Sequence, residues 1–503
     1  MKILLGSSEA FPYSKTGGLA DMTGALAKTL ARRGHQVGLV TPLYQGIRER
    51  FPGMRRLDWV LDFPLGRARA KGGVWELEPA ERLSIYFIDQ PGFYDRPSLY
   101  QREHVDYPDN AERFVFFSKA VAHLGLQLPW KPELVHAHDW QTGLVPLLLR
   151  HQEGGPEGLR APRTCLTIHN LAYQGLFPAD RFELTNLPWD YFTPEGVEFY
   201  RQFGCLKAGI AFADALTTVS PRYAREITTE EYGCGLDGLL RHRHNLLFGI
   251  LNGVDYEEWK TSGNPNLKHS FSAEDLSGKE ANKIELQKEL GLPPDAHVPL
   301  FGSIGRLVEQ KGVSILLGAL EQMLSANVQF VSLGTGLPSF VRAFQELARR
   351  FPSQVAVRIG FDEGLSHRIE AGCDFFLMPS RFEPCGLNQM YSLRYATIPI
   401  VRITGGLDDT VIDVRENAEK ANGIKFGEYS SQALAKAIRK ALVLYQETAL
   451  FERFRQNATA ADFSWEHMAA EYVKVYERAL GAHTGPSPAA EGVAAPDYGP
   501  CPA

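Results

Sequence analysis

Cysteine is scarce in this chain. Cys165, Cys205, Cys234, Cys373, Cys385 and Cys501 are its only six in 503 residues, and no pair has ligand spacing. A disulfide-stapled scaffold or a cysteine metal cluster is excluded as an organising principle; free thiols in a reducing cytoplasm are expected. Long apolar runs are missing too: no stretch approaches the roughly 18 continuous residues of a membrane span. MKILLGSSEAFPYS starts like a leader peptide, but its apolar part is too brief, and it reads as a buried first strand. Charge of one sign is also absent. Lys and Arg number 53 against 59 Asp and Glu, a balance of −6 without long blocks. Such a surface gives no dominant nucleic-acid footprint, although a local basic cleft stays compatible with it. The first glycine turn, KTGGL, has neither the GxGxxG dinucleotide fingerprint nor the GxxxxGKS/T phosphate loop.

What is present is an alternation of short apolar runs and helical patterns. MKILLGSS, QVGLVTPLY, LSIYFID, PELVHAHD, TCLTIHN and DALTTVS are the runs of the first half, with LADMTGALAKTLARRG and NAERFVFFSKAVAHLGL as intervening helices. This predicts α/β architecture with a parallel sheet covered on both faces. RLDWVLDFPLGRARAKGGVWELEP differs and reads as an antiparallel insertion. A second series begins after LFGILNGVDYEEW: VPLFGSIGRL, QFVSLGTG, AVRIGFD, DFFLMPS and IPIVRITGG. Length alone allows three average domains or two large ones; the two series favour two similar halves joined near residues 250–260. The polar segment Thr261 to Asp295 is expected on the surface. WEHMAAEYVKVYERAL, residues 465–480, is a last helix, and the Pro-, Gly- and Ala-rich residues 481–503 read as a disordered tail.

Ligands of open α/β sheets sit beyond the carboxyl ends of the strands, and the polar signals cluster there. KTGGL places Lys15, Gly17 and Gly18 before a helix, which reads either as a flexible turn or as a cradle for phosphate or sugar. TGGLAD at Thr16 to Asp21 recurs as TGGLDD at Thr404 to Asp409, through duplication or through shared turn chemistry. HAHDW puts His136, His138 and Asp139 at a strand end, and HNLAYQG puts His169 at the next. The alternate histidines lack a companion ligand cluster, so a metal is not expected. Asp139 reads as a helix cap or a site carboxylate. His169 reads as a strand-end histidine or as a donor to a sugar hydroxyl. In GSIGRLVEQKG, Arg306 and Lys311 suit two phosphates of a leaving group, or are solvent charges. LGTG adds flexible backbone at Gly334 and Gly336. Glu383 in SRFEPCGLNQMY could hold ribose or sugar hydroxyls, or be an ordinary surface carboxylate.

In order, KTGGLAD, HAHDW, HNLAYQG, TVSPRYAREI, GCGLDGLL, GILNGVDYEEW, GRLVEQKG, SRFEPCGLNQMYSLRY and TGGLDDTV resemble the bacterial glycogen synthases and plant-type starch synthases across residues 1–480. The resemblance implies a GT-B fold of two Rossmann-like domains facing a cleft: residues 1–253 on the acceptor side, completed by helix 465–480, and residues 254–464 on the nucleotide-sugar side. It implies transfer of glucose from ADP-glucose to the nonreducing 4-hydroxyl of an α-1,4-glucan, with retained configuration. ADP is then the product, and neither a cofactor nor a metal is required. A UDP-glucose-dependent synthase, an α-glucan phosphorylase and a nonenzymatic glucan-binding protein are the alternatives. Catalytic positions implied are Asp139, His169, Arg306, Lys311 and Glu383. Substrate contacts implied are Lys15, Gly17, Gly18, Tyr94, Asn252, Cys385, Gly386, Leu387, Thr404, Gly405, Gly406 and Leu407. Location is cytoplasmic if the source is bacterial. Three places depart from the family pattern: Tyr391 stands where related transferases carry a second glutamate, Ala396 and Ile403 replace a glycine and a basic residue, and GIKF (423–426) replaces a glycine-rich run.

Overall fold

The computed structural model describes residues 1–102, 105–152 and 161–481. The expected tail beyond Gly481 lies outside the described residues. The first half contains β1 (Lys2–Gly6), β2 (Gln36–Pro42), β3 (Arg55–Leu65), β4 (Ala68–Ala80), β5 (Leu83–Asp89), β6 (Leu134–His138), β7 (Arg163–Ile168), β8 (Ala215–Thr218) and β9 (Leu247–Gly249). They form one sheet in the order β9-β8-β7-β6-β1-β2-β5-β4-β3. Pairing from β9 to β5 is parallel. β3 and β4 are the antiparallel hairpin expected from the sequence. Parallel strands are covered on both faces and so read as nearly continuous apolar runs; Ile3, Leu4 and Leu5 are all fully buried.

The second half contains β10 (Leu300–Ile304), β11 (Gln329–Gly334), β12 (Val355–Ile359), β13 (Phe375–Met378), β14 (Ile398–Arg402) and β15 (Ile424–Phe426). Its order, β12-β11-β10-β13-β14-β15, is parallel throughout. The strand order reverses between β10 and β13 here, and between β1 and β6 in the first half. Such switch points open a crevice at the strands' carboxyl ends. The molecule is thus a pair of Rossmann-like units.

The chain passes between the units twice, and the two passages lie together. The Val254 amide donates to the Phe463 carbonyl at 2.7 Å, and Val254 pairs with Ser464 in a parallel bridge. Gly253 permits this crossing, because a β-carbon there would lie 2.6 Å from the Trp465 ring. Helix Trp465–Gly481 then packs on helix Gly18–Arg32 and on β7. Among the described residues no helix is long and apolar enough to cross a membrane.

One expectation fails. The segment Thr261 to Asp295 is not simply a surface connection: it holds helix Ser277–Leu290, whose buried face carries Lys279, Asn282, Lys283 and Gln287. Lys283 reaches Asp374 at 2.7 Å, and Lys279 donates to the Ala371 carbonyl at 2.9 Å and to Thr397 Oγ1 at 2.5 Å. Buried charge is tolerated where it is paired and hydrogen-bonded, so polar composition here concealed a core element.

Candidate active site

Beyond β1 the chain folds around a buried carboxylate before entering helix Gly18–Arg32. Glu9 accepts the hydroxyls of Thr16 at 2.6 Å and Tyr100 at 2.7 Å, along with the amides of Thr16 and Gly17. Burial raises its pKa against the lowering effect of those donors. Glu9 therefore shapes the KTGG turn, while Lys15 pairs with Asp21 at 2.9 Å. The helix has no side-chain cap, so its first amides stay open at the positive end of its dipole. A β-carbon on Gly17 would meet nothing within 4 Å, whereas one on Gly18 would lie 3.4 Å from Leu387 Cδ1. The first-half loop thus touches the second half at one of the expected positions.

At the ends of β6 and β7, Asp139 accepts the His169 amide at 2.7 Å and also the Asn170 amide. Its backbone is left-handed, with φ of 56°. Strain of this kind in a non-glycine residue concentrates at functional sites. Burial pushes the Asp139 carboxyl up to about 7. His138 Nδ1 lies 3.2 Å from His169 Nε2. Burial holds the His169 imidazole down at about 3, and His138 well below its ordinary value, so both rings are neutral near pH 7.

The second half contributes the ends of β10, β13 and β14. Lys311 Nζ donates to Glu383 Oε2 at 2.6 Å, and Ser380 Oγ donates to the same oxygen at 3.0 Å. Arg306 is exposed, its guanidinium held among the described residues only by Gln310 at 3.2 Å. The TGGL copy at Thr404 to Leu407 closes against the Glu383 to Leu387 loop: the Gly406 amide donates to the carbonyls of Glu383 at 3.2 Å and Pro384 at 3.1 Å. The Gly405 amide donates to Glu226 of the first half, 3.1 Å from each carboxylate oxygen. These amides, expected on a phosphate, are occupied within the protein here. Ser220 on Asp409 at 2.6 Å and Arg222 on Asp408 at 2.7 Å complete this tie between the units.

Asn252 joins the same crevice; its backbone N–H faces the Cys385 thiol, and its buried Oδ1 has no hydrogen-bond partner among the described residues. Burial raises the Cys385 thiol to about 12, so it lines the site as a neutral group. Gly386 has φ of 72° and turns the loop toward Leu387. Tyr94 departs from expectation. It is fully buried, its hydroxyl donates to the Arg113 carbonyl at 2.9 Å, and its ring packs edge-on against Tyr44 and Phe93. The structure leaves it no surface for a sugar or base. Tyr391 stacks on Trp259 with centroids 3.7 Å apart, so the position of the missing glutamate is filled by packing. Among the described residues, Glu258, Glu363 and His367 have metal-ligand spacing, their ligand atoms lying within 4.8 Å of one another.

Sequence reasoning missed Glu9, Glu226 and Phe361. Phe361 lies just beyond β12 and is 81% exposed, a flat apolar face at the strand ends of the second unit. Glu9 had a signal, since a carboxylate three residues past the first strand belongs with the other strand-end polar groups. Glu226 had none, because its partner is 179 residues away.

With this geometry in place, the comparisons with known proteins decide the family. Residues 2–242 match the starch synthase catalytic domain, and residues 283–460 match glycosyl transferases group 1. The glycogen synthase of an Anaeromyxobacter species is 49% identical over 484 residues, covering 96% of this chain and 100% of that protein. That of Syntrophotalea carbinolica is 44% identical over 483 residues, covering 96% and 100%.

The chain belongs to the glycogen synthase family.

The catalytic domain of starch synthase IV from Arabidopsis thaliana, solved with ADP and acarbose, superposes with a TM-score of 0.87 at 35% identity, covering 95% of this chain and 99% of that one. Sucrose-phosphate synthase from Thermosynechococcus elongatus, at 18% identity and a TM-score of 0.61 over 96% and 99% of the chains, shares the fold. This glycogen synthase family member is accordingly a glycosyltransferase of GT-B architecture. Its crevice brings an uncapped helix start, an ammonium–carboxylate pair, an exposed arginine and two neutral histidines to the facing switch points of two sheets.

Proposed function

We propose that the enzyme transfers glucose from ADP-glucose to the nonreducing 4-hydroxyl of an α-1,4-glucan with retention of configuration. Residues 1–253 with helix 465–480 would form the acceptor side, and residues 254–464 the nucleotide-sugar side. The observation that carries this reading is the contact of the Gly18 helix start with Leu387, on the loop whose Glu383 holds Lys311. A diphosphate between them meets open amides, Lys311 and Arg306 together, which stabilises the charge that develops as ADP leaves. Glu383 and His169 orient the glucose. Attack on the departing face breaks the C1–phosphate oxygen bond, forms the C1–O4 bond, and passes the acceptor's hydroxyl proton to the leaving phosphate. Phe361 offers its exposed ring to the base. Support for ADP and a glucan comes from the Arabidopsis relative, which was solved with ADP and acarbose.

The deciding experiment supplies glycogen with labelled ADP-glucose or UDP-glucose and measures incorporation, with Lys311→Ala as control. Preferential incorporation from ADP-glucose is expected. Preferential use of UDP-glucose would replace the donor assignment, and no elongation with either by folded enzyme would end the reading.

A further inference from the structure

We propose that His138 is a positioning residue that fixes the ring proton of His169 on Nδ1, so that a hydrogen-bond donor faces the crevice. The role in turnover rests on the reading above; the proton's location does not.

The geometry allows two arrangements. His138 is fully buried at the end of β6, and Thr142 Oγ1 clamps its backbone on both sides, accepting from its amide at 2.7 Å and donating to its carbonyl at 2.8 Å. This clasp fixes the backbone from which the ring projects. Its Nδ1 lies 3.2 Å from His169 Nε2, and its own Nε2 is buried with no hydrogen-bond partner among the described residues. Behind it, the His136 ring packs with centroids 4.1 Å apart and is saturated by Tyr476 at 2.8 Å and Thr167 at 2.6 Å, so it offers His138 nothing. A neutral imidazole carries one N–H and one bare nitrogen, and the 3.2 Å contact needs one of each.

If His169 Nε2–H donates, the His138 proton sits on Nε2 as a buried N–H with no acceptor. If His138 Nδ1–H donates, the partnerless atom is a bare acceptor and the His169 proton sits on Nδ1. Orphaned buried N–H groups are the rarer defect, which selects the second arrangement. His169 Nδ1 has no protein partner among the described residues, so that N–H is left for a bound hydroxyl or phosphate oxygen. The logic matches that by which a buried carboxylate sets the tautomer of a catalytic histidine in serine proteases.

The test has two parts. Long-range ¹H–¹⁵N spectra of histidine-labelled full-length enzyme, with His169 assigned by the signals lost in His169→Gln, report which nitrogen bears the proton. The proposal requires Nδ1–H with a bare Nε2; an Nε2–H His169 overturns it whatever the enzyme's activity. Kinetically, His138→Leu should lower kcat by about 10- to 100-fold, the usual cost of removing an orienting partner, with the KM for the sugar nucleotide changed by less than about 3-fold. His138→Asn, whose side-chain amide can donate from near the Nδ1 position, should regain most of that loss. A folded His138→Asn no better than His138→Leu, or a His138→Leu with normal kcat, refutes the positioning role.

Discussion

Replacing Lys311 with methionine separates two things that one ammonium group does. Lys311 pairs with Glu383, whose side chain is 8% exposed and, among the described residues, otherwise has only the Ser380 hydroxyl on that oxygen. Removing one partner of a fully buried ion pair costs about 3–5 kcal/mol, because the other charge is left uncompensated. Here the lysine side chain is 29% exposed, so water can partly replace it, and about 2 kcal/mol is the expected loss. For a unit of this size that lowers the unfolding midpoint by roughly 4–8 °C. Adding Glu383→Gln removes the stranded charge while keeping an oxygen for Ser380, so the double variant should return to within about 1 kcal/mol of the parent. Catalysis should not follow. Loss of an electrostatic group acting on the leaving diphosphate lowers kcat by about 100- to 1,000-fold, and the double variant should be no more active than Lys311→Met. Thermal unfolding and labelled-glucose incorporation on the four proteins of this cycle decide the matter. If activity returned together with stability, the lysine's importance would lie in neutralising Glu383, and the leaving-group role would be wrong.

Other consequences are more local. His136 and His169 are held near 3 by burial, so the unfolded chain binds protons that the folded one refuses between about pH 6.5 and 3. That contribution is full above about pH 6.5 and is lost as pH falls, by about 1.4 kcal/mol per pH unit per ring. Asp139 and Glu258, both raised to about 7 by burial, titrate in the opposite sense. The measurement is therefore the difference in stability slope between parent and His136→Gln from pH 7 to 4.5, and equal slopes would contradict it. Gly405→Ala places a β-carbon 2.0 Å from the Glu383 carbonyl at φ of 43° and should destabilise by more than about 3 kcal/mol; Gly17→Ala, facing open space, should cost under about 1 kcal/mol, as urea unfolding will show. Phe361→Ala should leave stability unchanged and raise the KM for the sugar nucleotide by about 5- to 30-fold if its ring stacks on the base.

Much of the architecture was legible because parallel strands are covered on both faces. PELVHAHD, TCLTIHN and DFFLMPS announce themselves as apolar runs, and the Arg55–Ala80 hairpin stands apart because its alternation is different. Legibility failed where a residue's fate depends on a distant partner. Lys279 and Lys283 read as surface charges, and it takes distant partners, among them the Glu370 carbonyl and the Asp374 carboxylate 91 residues on, to make their burial sensible. Departures from the family pattern also gain a physical reading. Ala396 has φ of 56°, a conformation in which glycine is free of strain and alanine is not. Lys425 of GIKF is buried against Asp408 at 2.8 Å and Glu416 at 2.9 Å, so the irregular run supplies a counter-charge to the aspartate that Arg222 also holds.

The repeated TGGL string shows most directly where sequence stops and structure begins. Both copies end a loop at a strand's carboxyl end and start a helix, and both converge on the Glu383 to Leu387 loop. Their physics differs. In the first, Glu9 takes the amides of Thr16 and Gly17, and the 15-residue helix that follows keeps an open, uncapped start beside Lys15. In the second, Glu226 crosses between the units to take the Gly405 amide, and the carbonyls of Glu383 and Pro384 take the next. One copy remains able to receive an anion; the other is a brace that sets the height of the wall opposite. Five matching letters in six specify the turn, but the carboxylate that fills or leaves the turn's donors is chosen elsewhere in the chain.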